Sequence, residues 1–205
     1  MSGTGPADAG AMDDSVRKYI AKYVEDMHSL VAHGLQPIGQ QVEQATKRGH
    51  ADAARFIQDV HTTLEQHERA LDQRLKVLGT SPTTAVQDAA AAVAGLVAGL
   101  YNQVRTEAVA KSLRDDYTFL SHCSVSWLML MTTARALQDH DTEELAERGY
   151  RDTARLVMDL DRVLPRVVVE EMKQDGLPAQ DVSDWANKMI NDAWSRQGVG
   201  SSAAS

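Results

Sequence analysis

The sequence predicts an all-α protein: a four-helix bundle with a crossover helix between the second and third long helices and a shorter C-terminal helix. Three observations predict it. Apolar residues recur at spacings of three and four along most of the chain, the pattern of helices that bury one face. Aromatic residues make up only 5% of the sequence while Ala is abundant, a composition that suits close-packed helices. No stretch alternates apolar and polar residues with the period of two that a half-buried strand requires. At 205 residues and 43% hydrophobic content, the chain is long enough to bury one sizeable core.

Residues 1–12, rich in Ser, Gly, Thr and Pro, are expected to form a disordered leader, and a helical domain is expected over 13–195. Asp13, Asp14 and Ser15 are N-cap candidates for a first helix over 14–46. Its stripe runs through Val16, Ile20, Val24, Met27, Val31 and Ile38, and it continues in phase beyond Pro37, which predicts a kink rather than a break. A second helix, 51–78, carries the seam Ala53, Ile57, Val60, Leu64, His67, Leu71, Leu75 and Leu78, and Gly79 terminates it. Residues 83–101, with Ala91, Gly95 and Gly99 four apart, are expected to form the crossover helix lying on the bundle.

The third long helix is expected over 103–138. Its second half, Tyr117 to Leu137, is apolar almost all round and should be buried on several faces, with Ser121, His122, Ser124 and Ser126 needing partners there. Asp139, Asp141 and Thr142 form a turn and cap before a fourth helix over 142–173, with Pro165 as a kink and Gly176 as its end. A last amphipathic helix, 181–194, carries Val182, Trp185, Met189 and Ala193 on one face, with Trp185 placed to dock it on the bundle or across a dimer. Residues 196–205 read as a flexible tail.

A formal net charge of −8 argues against nucleic-acid binding, because DNA affinity rests on neutralising phosphates. The single cysteine, Cys123, excludes an intramolecular disulfide and sits in an apolar stretch as a small buried residue. No basic region precedes an apolar run at the N-terminus, and the run Ala89 to Tyr101 is too short to span a bilayer. The expectation is a cytoplasmic protein without membrane association.

Helix-borne motifs add a resemblance. The first helix carries Tyr23-x-x-Asp26-Met27-His28-x-Leu30 and then Pro37. The second ends Arg74-Leu75-x-x-Leu78-Gly79. The third carries Asp116-Tyr117-x-x-Leu120, then Leu128-Met129-Leu130 and Ala136-Leu137. Over residues 14–173 the chain resembles the ferritin-like superfamily, most closely small bacterial stress-associated ferritin-like proteins of unknown function. That resemblance implies a di-iron site built from paired Glu and Glu-x-x-His motifs. The only Glu-x-x-His is Glu25 to His28, on the first helix. Glu65 and Glu68 stand near ligand positions, but Leu71 replaces the His expected three residues after Glu68. Ser121-His122 stands where the third helix should supply Glu, and the fourth helix offers Asp152, Asp159 and Asp161.

The leading functional expectation is therefore a non-catalytic, metal-free binding or interaction protein, a homodimer with an unidentified protein or small-molecule partner; "stress" enters only through the resemblance. A second reading is a metal-dependent oxidase or iron-handling protein with iron or zinc on a nonstandard site from Glu25, His28, His67, Glu68 and His122. A third is a carrier with an apolar pocket lined by Trp127, Met129 and Met131. His67, on the core seam, is otherwise a buried neutral imidazole. Arg151, Arg155, Arg162 and Arg166 form a stripe that is either an anion site or a face salt-bridged to Asp115 and Asp116 or to a dimer mate.

Overall fold

In the computed structural model, residues 12–80 and 108–199 are described, with side chains to residue 195. The expected crossover helix, almost all of the leader, and most of the tail lie outside the described residues. Everything described is helical or in short connections, with no strand among the described residues. The helices are α1 (Asp14–Lys47), α2 (Ala51–Val77), α3 (Val109–Ala136), α4 (His140–Gln174) and α5 (Ser183–Val199). None of the described helices is long and apolar enough to cross a membrane.

Local chemistry sets the ends of these helices. Asp13 caps α1 by accepting the backbone N–H groups of Ser15 and Val16. Asp139 caps α4 by accepting from Thr142 N–H. Gly79 ends α2 in a left-handed conformation, with φ of 79°, while Thr80 N–H closes back onto the Leu75 carbonyl at 3.0 Å. The turn from α3 to α4 uses the same closure, Asp139 N–H to the Ala134 carbonyl at 2.9 Å, but places Gln138 at φ 60° where glycine is usual. Both Pro37 and Pro165 lie inside their helices, so α1 and α4 run past them unbroken.

Helices α1 to α4 pack in a ring, α1 against α2 and α3, and α4 against α2 and α3. Each of those contacts is antiparallel. Gln41, late in α1, donates to Asp116, early in α3, and Arg74, at the end of α2, reaches Asp139 and Thr142 at the start of α4. The Ala110 N–H, at the start of α3, donates to Glu171, near the end of α4. Helix α2 therefore ends at one end of the bundle and α3 begins at the other, running parallel to it.

The seam expected on α2 is the seam observed. Ala53, Ile57, Val60, Leu64, His67, Leu71, Leu75 and Leu78 are all buried. They meet Ile20, Val24, Met27 and Ile38 from α1, Phe119, Leu120 and Trp127 from α3, and Leu156 and Leu160 from α4. Helix α3 corrects the sequence reading. Only one side is buried, while Val125, Leu128 and Met129 are exposed, because α3 contacts α1 and α4 but leaves its outer side to solvent.

Two glycines let helices approach the core aromatics. A Cβ on Gly34 would lie 2.2 Å from the Phe119 ring, and one on Gly149 would lie 2.3 Å from the Trp127 ring. Trp127 is fully buried and has no room to retreat. Gly149→Ala should therefore destabilise the protein by about 1–3 kcal/mol despite its better helix propensity, read as a lowered urea midpoint. An unchanged or raised midpoint would show that the α3–α4 contact is looser than described.

Candidate functional site

The residues proposed for a nonstandard metal site do not converge. His28 and His67 both lie on buried helix faces, but each turns toward a different neighbour. His28 Nε2 is 2.8 Å from Asp72 Oδ1, across the α1–α2 contact. His67 Nε2 donates to Asp152 Oδ2 at 3.1 Å, across the α2–α4 contact, and its ring meets Trp127 edge-on at 5.2 Å between centroids. His122 is exposed on α3, so it is not a core imidazole. Its position on the solvent side of α3 is the physical reason, since its neighbour Cys123 takes the inward place. Glu25 and Glu68 are half-buried. Burial, then repulsion from Asp26, raises the Glu25 carboxyl above its ordinary range. Among the described residues no three His, Cys, Asp or Glu side chains form a group able to hold a metal ion.

A third imidazole was not singled out by the sequence reading. His50, buried at the start of α2, pairs through Nδ1 with Glu170 Oε2 at 2.8 Å. In all three histidines the nitrogen turned away from the carboxylate is buried without a hydrogen-bond partner. At His67 a neutral ring donating its Nε2–H to Asp152 suits that arrangement, because protonating Nδ1 would bury an unpaired donor.

The strongest buried polar group is Arg74, also missed from sequence although it lies three residues after Leu71 on the core side. Its Nη2 donates to both oxygens of buried Asp139 at 2.6 and 2.7 Å, its Nε to Thr142 Oγ1 at 2.7 Å, and its Nη1 to Asp141 at 3.1 Å. Thr142 Oγ1 in turn donates to Asp139 at 2.6 Å. Burial pushes the Asp139 carboxyl upward, but the hydrogen bonds from Thr142 and Arg74 outweigh it and leave it below the ordinary value.

The arginine stripe of α4 is a salt-bridged face, with partners on α2 rather than on α3. Arg155 donates to Asp59 at 2.9 Å and Arg166 to Asp52 at 2.6 Å, while Arg151 pairs with Glu147 on its own helix. Asp115 and Asp116, the expected partners, sit on α3 near Arg114 and Gln41 instead. Beside this face, α2, α4 and α5 enclose an open cleft of about 470 Å³. Its walls carry Arg55, Arg162 and Arg166 interleaved with Asp52, Asp59 and Asp159.

The apolar pocket expected beside α3 is not assembled as proposed. Trp127 is fully buried, Met129 is exposed, and Met131 lines a separate shallow hollow of about 430 Å³ with Arg135 and Glu147. Cys123 is fully buried, and burial pushes its thiol upward, which suits a packing residue rather than a nucleophile.

Helix α5 removes one of the two placements the sequence leaves open for it, docking on the bundle or across a dimer. Its apolar stripe does not dock on the bundle. Trp185 is 66% exposed, Met189 52% and Val182 45%, while Ser183 is buried toward α4 and Asn187 lines the cleft.

No family model, curated protein or solved structure matches this chain.

The His67 environment makes a pH prediction. Burial holds its pKa below the ordinary 6.5, and the Asp152 carboxylate only partly opposes this. The unfolded chain then takes up a proton at a higher pH than the folded protein does. Stability from this group is complete above about pH 6.5 and declines as pH falls below it. His67→Leu should keep or raise stability at pH 7.5 and shrink the loss between pH 7.5 and 5.5, followed by urea denaturation. An equal loss in both proteins would remove His67 from the account.

Proposed function

We propose that this chain is a non-catalytic, metal-free binding or interaction protein with ferritin-like wiring, acting as a homodimer in the cytoplasm. The observation that carries this reading is the outward face of α5. Among the described residues α5 makes its main contacts with α4, turns Trp185 and Met189, with Val182 just before it, to solvent and sets polar Ser183 and Asn187 toward the bundle, the reverse of a helix whose task is to finish a monomer's core. Large aromatic and Met side chains are the residues that anchor protein interfaces. A second copy of the same chain is the occupant proposed for this stripe.

The ferritin-like reading is supported by the ring of four antiparallel contacts and by α2 and α3 running parallel from opposite ends, which requires a long connection between them. It also fits the helix-borne motifs that resemble the superfamily. A role in stress belongs to that resemblance alone. The metal-free reading is supported by where the candidate side chains go: His28 and His67 are held by separate carboxylates, and His122 faces outward.

Sedimentation velocity of the full chain should give the mass of two chains, and Trp185→Ser combined with Met189→Ser should give the mass of one with unchanged circular dichroism. A single-chain mass for the unmodified protein would contradict the dimer. Untagged protein dialysed after separate additions of iron, zinc and manganese should retain far less than one equivalent. About one equivalent or more retained would contradict the metal-free reading.

A further inference from the structure

One outer side of α4 carries two features, one toward each end. Near its start, α4 and the last turns of α3 border an open hollow of about 430 Å³, with Met131, Thr132 and Ala136 on the α3 wall and Glu143 and Glu147 on the α4 wall. The exposed apolar residues Leu128 and Val125 continue the α3 wall one and two turns from Thr132. Toward its other end, α4 carries α5. Ser183, Asn187 and Trp194 recur at spacings that put them on one side of α5, and that side meets α4. Ser183 and Asn187 stand with Arg162 and Arg166, and Trp194 donates to Asp161. Trp185 and Met189 lie on the opposite side of α5 and are exposed.

Glu147, Ala154 and Asp161 are seven residues apart, close to two helical turns, so they share a face of α4. The hollow at Glu147 and the α5 contact at Asp161 therefore open on one side, roughly 21 Å apart along the helix. Helix α5 crosses the outside of α4 as a ridge that reaches this side at Trp194, and the hollow is a recess in it. A two-fold axis through Ala154, perpendicular to α4, exchanges the two positions. A second copy turned about that axis brings its ridge over the first copy's hollow and receives the first copy's ridge in its own, the self-complementary contact of a closed dimer. Beside the axis stand Ala154, a small residue, and the exposed Met158 one turn on. Charge fits the same arrangement. Lys188, exposed beside Met189, has no ion pair among the described residues, and the α4 wall of the hollow is acidic. Glu143 and Glu147 already hold Arg135 and Arg151 in surface pairs, and the ammonium joins those pairs.

We infer that the α5 stripe of one copy seats in the hollow between α3 and α4 of a second copy, Trp185 and Met189 against Met131, Thr132 and Ala136, and that the contact is made twice about a two-fold axis near Ala154. The inference rests on the homodimer proposed above and names the surface that the stripe meets.

The test joins sedimentation velocity to cross-linking of the full chain. A single-chain mass for the unmodified protein removes the homodimer and this inference with it. Thr132→Glu combined with Ala136→Glu puts charge on two exposed positions of the hollow, and should lower the mass from two chains to one with unchanged circular dichroism. Cys123 is buried, so a short bismaleimide reaches only introduced thiols. Chains carrying Met189→Cys and chains carrying Thr132→Cys, mixed and left to exchange, should give linked pairs, and neither variant alone should. Self-linking of the Met189→Cys chain would place α5 against α5, overturning the inference while leaving the homodimer in place. A folded Thr132→Glu, Ala136→Glu chain that keeps the mass of two, or an absence of mixed linkage in a chain that is dimeric, would overturn it in the same way.

Discussion

The Arg74 cluster is the constraint on which the arrangement of the two helical hairpins depends. A buried guanidinium is tolerated only with nearly all of its donors paired. Here its partners come from the cap of α4, so the charge is satisfied only when the end of α2 meets the start of α4 in one register. The other polar pairs between these helices follow from that register. His67 with Asp152, Arg155 with Asp59, Arg166 with Asp52 and His50 with Glu170 lie in order along the same antiparallel contact. Apolar packing alone, Leu against Leu at heptad spacing, would tolerate a shift by one turn far better than these pairs do.

That register also places the cleft beside the arginine stripe. With α2 fixed against α4, the acidic residues of α2 stand opposite the arginines of α4, and α5 closes the third side of the cleft. Among the described residues α5 packs chiefly on α4 and leaves Trp185 and Met189 exposed.

The helices were legible in the sequence because each has a stripe of apolar residues at helical spacing and a chemically defined end. The α2 seam, including His67, was read residue for residue, and Gly79 and Gly176 end helices as expected. What the pattern did not reveal was which neighbour each face would meet. Residues Tyr117 to Leu137 are apolar on most sides, yet Val125, Leu128 and Met129 face solvent, because periodicity becomes uninformative once every side is apolar. The stripe on α5 was recognised, but an amphipathic pattern does not say whether the apolar side meets its own chain or another. The arginine stripe reads in sequence as an anion site or as a face salt-bridged to the third helix or to a dimer mate, and its partners on α2 come beside it only after folding. Arg74 is not legible in the sequence, because a charged residue on a core stripe reads as an exception until its partners, more than sixty residues away, are brought to it.

The most direct measurement is a double-mutant cycle between Arg74 and Asp139, using Arg74→Met, Asp139→Asn and the combined variant in urea denaturation at neutral pH. A paired register in which the guanidinium and carboxylate are mutually satisfied predicts a coupling energy of about 1.5–3 kcal/mol, each single variant being strongly destabilised and the double variant much less than their sum. Additive effects with no coupling would contradict the account, because the ends of α2 and α4 would then be held by apolar packing alone.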